Sequence, residues 1–140
     1  MFQFIKRLFG GKREPEHLRR GRLGEAAAKR FLKSAGLKFL VANFKTKDSE
    51  IDLVFRNDDC LVFVEVKART EGGWTRPAAA VDQRKRSLLS KAAREYVLQL
   101  RDLNVKFRFD NVEVLLVDGE VNEVRHIPNA FPLTKAKRHA

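Results

Sequence analysis

Charges that interrupt apolar segments are the first sign of chemistry in this chain. In CLVFVEVKA, residues 60–68, Glu65 and Lys67 break a nearly continuous apolar run. They are two apart, so in an extended strand both project from one face. Inside a sheet each charge carries a large desolvation cost unless it is partnered. A mutual ion pair at the strand's end is the plain explanation, and a shared task is the other. A second pair lies upstream in EIDLVF, where Glu50 and Asp52 alternate with Ile51, Leu53 and Phe55. Alternation sets the two acids on one face and the three apolar residues on the other. Alone, that is an ordinary strand with one polar face. If the two strands are hairpin neighbours, Asp52 lies beside Glu65 and Lys67. Two carboxylates held close repel unless a cation or a proton intervenes, and hard oxygen ligands suit Mg²⁺ or Mn²⁺.

Two helical residues extend the set. Glu25 sits three before Ala28 and seven before Leu32, so it flanks the apolar side of its helix. Lys85 is four after Val81 and three before Leu88, on the buried stripe of a second helix. A lysine there can run its stem along the stripe, or it can reach a phosphate at the same site. One helix acid, two strand acids and two lysines compose a metal-assisted phosphodiester site. The metal would polarise a phosphoryl oxygen and acidify water. A lysine would orient or deprotonate that water and offset developing charge. Such a site needs neither histidine nor cysteine.

The elements that must hold these residues are legible in the periodicity. Gly21 to Ala35 reads as a helix, with Leu23, Ala27 and Phe31 at four-residue steps, closed by Gly36. Strands follow at Leu37–Phe44, Glu50–Arg56 and Cys60–Ala68, the last two joined by an Asn57-Asp58-Asp59 turn. The continuous apolar character of the third implies burial on both faces. Pro77 opens a second helix that runs to about Leu100, with Leu88, Leu89, Ala92, Tyr96 and Val97 among its apolar stripe. Val105–Val117 and Val121–Ile127 form a hairpin around Asp118-Gly119, and Pro128 ends it. The order helix, three strands, helix, two strands predicts an α/β fold with helices flanking one mixed sheet. Between the third strand and the second helix lies EGGWTR. There Trp74, beside Arg76, could stack on an unpaired base or fold back to close the loop.

At 140 residues and 44% hydrophobic, the chain is long enough for one packed domain. Its 29 Lys and Arg against 18 Asp and Glu leave +11, which makes polyanions the first partners to consider. Residues 1–22 hold seven basic and two acidic residues, residues 133–140 three basic and none acidic, and residues 23–132 nineteen and sixteen. The expected organisation is therefore a basic arm at 1–20, a folded domain at 21–131 and a basic tail at 132–140. The run Phe2 to Phe9 is broken by Lys6 and Arg7, too short for an export signal or a membrane span. Single Cys60 excludes an internal disulfide framework, and His17, His126 and His139 lack metal-ligand spacing. A cytoplasmic location is the expectation.

GRLGEAAAKRFL, NFKTKDSEIDLVF, LVFVEVKAR, RFDNVEV and HIPNAF together resemble the YraN-like family of small bacterial proteins predicted to be endonucleases. More broadly, Asp52 followed by Glu65-Val66-Lys67 resembles the PD-(D/E)xK nuclease superfamily, and the family is similar to archaeal Holliday-junction resolvases. The likeness covers roughly Gly21 to Phe131. It implies a restriction-endonuclease-like αβββαβ core. It also implies that Asp52 and Glu65 ligate Mg²⁺ or Mn²⁺ with the Val66 carbonyl as a third ligand. Glu25 would complete the site directly or through water, and Lys67 would be the catalytic lysine. Lys85 matches a basic or polar position on the following helix. With Arg69, Trp74 and Arg76 it makes up the expected nucleic-acid contacts. Ile51 stands where the superfamily's name has proline, and Ser49 where the close family usually has glycine. The function this implies is metal-dependent hydrolysis of DNA, at branched or flapped structures if it is resolvase-like, with a homodimer required for paired cuts. A non-catalytic nucleic-acid-binding module on the same fold is the alternative, and a scaffold in which Glu65 and Lys67 merely pair is the third reading.

Overall fold

The computed structural model describes residues 13–70, 83–102 and 104–133. Among the described residues seven elements follow the expected order: α1 (Glu16–Ser34), β1 (Lys38–Lys45), β2 (Glu50–Asn57), β3 (Cys60–Thr70), α2 (Gln83–Gln99), β4 (Lys106–Val117) and β5 (Glu120–Phe131). The five strands form one sheet in the order β1-β2-β3-β4-β5. Only β3 and β4 run parallel, as the helical crossover through α2 between them requires. The other neighbours are antiparallel hairpin pairs. This is the restriction-endonuclease-like mixed α/β core. Among the described residues no helix is long and apolar enough to cross a membrane.

One helix covers each face. On one side Ala27, Ala28 and Leu32 of α1 pack on Leu53, Phe55, Val62, Val64, Val112 and Val114. On the other, Leu89, Ala92, Ala93 and Val97 of α2 pack on Val54, Leu61, Phe63, Phe109 and Phe131. β3 feeds both clusters from alternate positions, so Leu61 through Glu65 are all buried. That is the two-sided burial its apolar run predicts.

Several boundaries differ from the sequence expectation. α1 begins at Glu16 rather than Gly21. Pro15 presets the entry dihedral and its carbonyl accepts the Leu18 and Arg19 N–H groups, so the helix starts five residues earlier and passes through Gly21. The exit is as expected. Gly36 takes φ +95°, its N–H donates to the Lys33 carbonyl, and the Leu37 N–H donates to the Leu32 carbonyl. That closes α1 in a Schellman turn.

Ile51 does not share a face with Leu53 and Phe55. It packs on the α2 side, they on the α1 side. Strict alternation breaks at Asp52, where the β2–β3 ladder has already ended at Leu53↔Val64.

β5 continues through Pro128 to Phe131. An edge strand tolerates proline because its outward N–H has no ladder partner to lose. The register jumps there, with Asn111 opposite Ile127 but Phe109 opposite Phe131. Asp110, fully buried, fills the bulge. It accepts the Asn129 N–H at 3.1 Å, Arg108 Nε at 3.0 Å and a 2.7 Å contact from His126 Nε2. The RFDN and HIPN segments are thus two halves of one structural clamp, and His126 belongs to it.

Candidate active site

The point where β2 and β3 separate is the centre of the site. Beyond Leu53↔Val64 the ladder is replaced by a side chain, since the Val66 N–H donates to Asp52 Oδ2 at 2.8 Å. That bond fixes Asp52 against β3 and holds the Val66 peptide next to it. α1 crosses β3 at the same place. A Cβ on Gly24 would lie 3.1 Å from the Ala68 Cβ and 3.6 Å from Val66 Cγ1, so glycine lets the helix come this close. The next residue, Glu25, is thereby delivered to the acids of β2, and its carboxyl feels the charges of Asp52 and Glu50.

Glu65 is buried at 7% exposure and receives two cations on one oxygen. Lys67 Nζ lies 3.2 Å from Oε1, and Lys85 Nζ, from the first turns of α2, contacts the same atom. The second oxygen, Oε2, is buried with no hydrogen-bond partner. An unpartnered buried carboxylate oxygen is costly and marks a place for a further donor or a cation.

The ionisation of the cluster follows from burial and crowding. Burial pushes Asp52 up to about 6, aided by the negative charges of Glu65 and Glu50 and opposed by the Val66 N–H and Lys85. Glu25 is raised too, first by burial and then by Asp52 and Glu50. Lys67 is lowered, first by burial and then by Lys85, with Glu65 acting against both. For Lys85 burial works downward, but its bonds to Glu65 and Lys67 and the charges of Glu65 and Asp52 outweigh it, and the net direction is up. Two amines on one carboxylate oxygen therefore divide the roles. Lys85 keeps its proton, and Lys67 is the one eased towards the neutral amine that a general base needs.

The expected set is thus gathered: Glu25 from α1, Asp52 from β2, Glu65, Val66 and Lys67 from β3, and Lys85 from α2. Arg69, half-buried, continues the face of Glu65 and Lys67 two residues on. Trp74 and Arg76 lie outside the described residues. Cys60 and His126 stand apart from the cluster; burial raises the Cys60 thiol, and His126 is committed to Asp110.

Whether the donors suit a hard divalent ion rests on their chemistry. Asp52 and Glu65 offer carboxylate oxygens, one of them orphaned, beside a backbone carbonyl, and this fits Mg²⁺ or Mn²⁺. Among the described residues no three His, Cys, Asp or Glu side chains are already drawn together as a metal cage. The fit is therefore to two carboxylates plus backbone and water, which is how Mg²⁺ is commonly held.

Two residues escaped the sequence reading. Asn111 and Glu113 on β4 are in register with Glu65 and Lys67 on β3. Both are buried, and Asn111 Oδ1 and Glu113 Oε1 lack hydrogen-bond partners. The polar row therefore continues across the sheet. Its signal was present: Asn111-Val112-Glu113 interrupts an apolar strand with the same spacing as Glu65-Val66-Lys67.

The fold and this cluster define a mixed α/β protein of restriction-endonuclease-like architecture with a buried carboxylate–lysine centre where β2 and β3 separate. Residues 24–114 match the model of the family described as "Uncharacterised protein family UPF0102", and the chain belongs to that family. It is 40% identical over 119 residues to a UPF0102 protein of Porphyromonas gingivalis, covering 84% of this chain and 87% of the relative. It is 40% identical over 114 residues to one of Trichlorobacter lovleyi (81% and 90% covered). It is 41% identical over 116 residues to one of Acetivibrio thermocellus (79% and 89% covered).

Proposed function

We propose that this protein is a Mg²⁺-dependent endonuclease that hydrolyses DNA phosphodiester bonds, related to the PD-(D/E)xK nucleases and similar to archaeal Holliday-junction resolvases. The observation that carries the reading is Glu65. Its buried Oε2 is unpartnered while Oε1 faces Lys67 and Lys85, an arrangement that wastes stability in a scaffold. In this reading Asp52, Glu65 and the Val66 carbonyl would hold the ion, and Glu25 would complete the shell directly or through water. When bound, the ion would supply charge neutralisation on the phosphoryl group and acidify the attacking water. Lys67, eased towards its neutral form, takes that water's proton. Lys85 keeps its charge and faces the negative charge that develops on the phosphate oxygens. Asp52, held by the Val66 N–H, keeps β2 in place as the phosphate arrives. Paired cuts across a junction require two such centres, hence a homodimer at the junction.

The test is a panel of labelled linear, flapped, looped and four-way DNAs with Mg²⁺ or Mn²⁺, run beside Glu65→Ala. Divalent-dependent cutting that this substitution removes supports the reading. Salt-sensitive binding with no cutting on any substrate would favour the non-catalytic nucleic-acid-binding module, and neither binding nor cutting the scaffold.

A further inference from the structure

We propose that the second half of α1 and the edge strand β1 form the surface that receives the DNA backbone and leads it to the carboxylate–lysine centre. The proposal rests on the nuclease reading for what lies at the end of that surface, but not for the surface itself.

The observation begins in the sequence. Between Glu25 and Asp48 the chain carries Lys29, Arg30, Lys33, Lys38, Lys45 and Lys47 and no acidic residue. The near-neutral total of the folded body hides this segregation. The fold then gives the tract a direction. It leaves the site at Glu25, runs out along α1, turns at Gly36 and comes back along β1. It re-enters where Lys45 stands opposite Glu50. Both of its ends meet at the site, because Glu25 senses Asp52 and Glu50. Glu25, Lys29 and Lys33 follow at four-residue steps on one helical stripe. That stripe extends about 12 Å from the centre at 1.5 Å per residue.

What distinguishes this face is six cations in one tract with no acid between them. Elsewhere several cations are paired, Arg19 with Glu16, Arg22 with Glu14, Lys91 with Asp48 and Lys106 with Asp59, while Arg56, Arg84 and Arg101 stand singly among the described residues. Among the described residues none of the six makes an ion pair. Lys29 is held in place instead by the Phe39 ring, with Nζ 3.9 Å from its centroid, which joins α1 to β1 across the surface. Ala26, Lys29, Arg30 and Lys33 line a shallow concavity. An unneutralised, concave, one-signed surface that begins at a phosphodiester site is complementary to a phosphate backbone. About 12 Å corresponds to roughly four base-pair rises.

The test measures DNA binding in EDTA, so that cutting plays no part. Affinity for a labelled duplex of about 25 base pairs is followed from about 50 to about 200 mM salt. The proteins are the wild type, K29Q/R30Q/K33Q, K45Q/K47Q and the control R101Q/K106Q, which lies outside the tract, before and at the start of β4, three strands from β1. The triple variant is expected to shallow the log–log salt slope by about 2 to 3, and the double by about 1 to 2. The control should leave the slope unchanged, and all variants should melt like the wild type. An unchanged slope in both the triple and the double variant would overturn the proposal, as would a wild type with no salt-dependent binding. Vesicles rich in phosphatidylserine form the second arm. If the substitutions weaken vesicle binding and not duplex binding, the face serves an anionic membrane and the proposal fails. A slope that the variants shallow, with a wild type that binds but never cuts with Mg²⁺, upholds the surface and sinks only the nuclease reading.

Discussion

Lys67 and Lys85, one from a strand and one from a helix, converge on a single atom, Oε1 of Glu65. Their surroundings drive them apart in acidity, Lys67 down and Lys85 up. The pair therefore contains one amine suited to take a proton and one suited to remain a cation. Lys67→Ala should lower the cutting rate by about 10² to 10⁴. It should leave Mn²⁺ binding intact, because no ligand is lost. Lys85→Met should instead tighten Mn²⁺ binding, since of the two amines on Glu65 it is the one held as a cation, whereas Lys67 is eased towards the neutral amine. Calorimetric titration of Mn²⁺ into both variants, beside their single-turnover rates, checks the division. Equal loss of metal in the two would show that the lysines act only as a structural pair.

Asp52 and Glu65 should behave differently from the lysines. Asp52→Ala and Glu65→Ala remove oxygen ligands, so cutting should vanish. Binding to DNA without metal should hold or improve, because negative charge facing phosphate has gone. Full activity in either purified variant would reject the site.

The order of the elements, the helix stop at Gly36 and the convergence of Glu25, Asp52, Glu65, Lys67 and Lys85 were all readable from charges set against hydrophobic period. The departures share a cause, since each lies where a side chain or a neighbour replaces the local rule. Ile51 changes face because the ladder ends beside it and Asp52 bonds to Val66 instead of extending the pairing. β5 runs through Pro128 because Asp110, far away in sequence, accepts the Asn129 N–H inside the bulge. Asn111 and Glu113 carried the same alternating signal as Glu65 and Lys67. Their importance comes only from the parallel register of β3 and β4, which no local pattern encodes. The segregation of charge on α1 and β1 was likewise averaged away by summing over the whole domain.

Gly24 sets how closely α1 approaches β3, and therefore where Glu25 stands. In an exposed helix interior, alanine in place of glycine would add about 1 kcal/mol of stability. Here the new methyl meets Ala68 at 3.1 Å. Gly24→Ala should push the helix outward, weaken Mn²⁺ binding several-fold and lower the cutting rate. The double variant G24A/A68G restores the space and should recover metal affinity, even though glycine in a strand costs some stability. Unchanged Mn²⁺ affinity in Gly24→Ala would show that the close approach serves packing alone.

Asp52 makes the last prediction, which concerns pH. Its folded value is pushed up to about 6, above the roughly 3.9 of an unfolded aspartate. Between those two values the folded chain binds more protons than the unfolded one, so this group lowers stability as pH rises from about 4 to about 6. The cost is complete above that window and amounts to at most about 3 kcal/mol. Glu25 adds to it in the same direction. Metal-free protein should therefore lose melting temperature across this range, and Asp52→Asn should lose much less, because its side chain does not ionise. A bound divalent ion reverses the preference by favouring the carboxylate. Mn²⁺ affinity should thus rise about tenfold per pH unit below about 6 and level off above it. Wild type and Asp52→Asn with parallel melting profiles from pH 4 to 7 would refute the buried, raised carboxyl. A metal affinity flat through pH 6 would remove Asp52 from the ligand set.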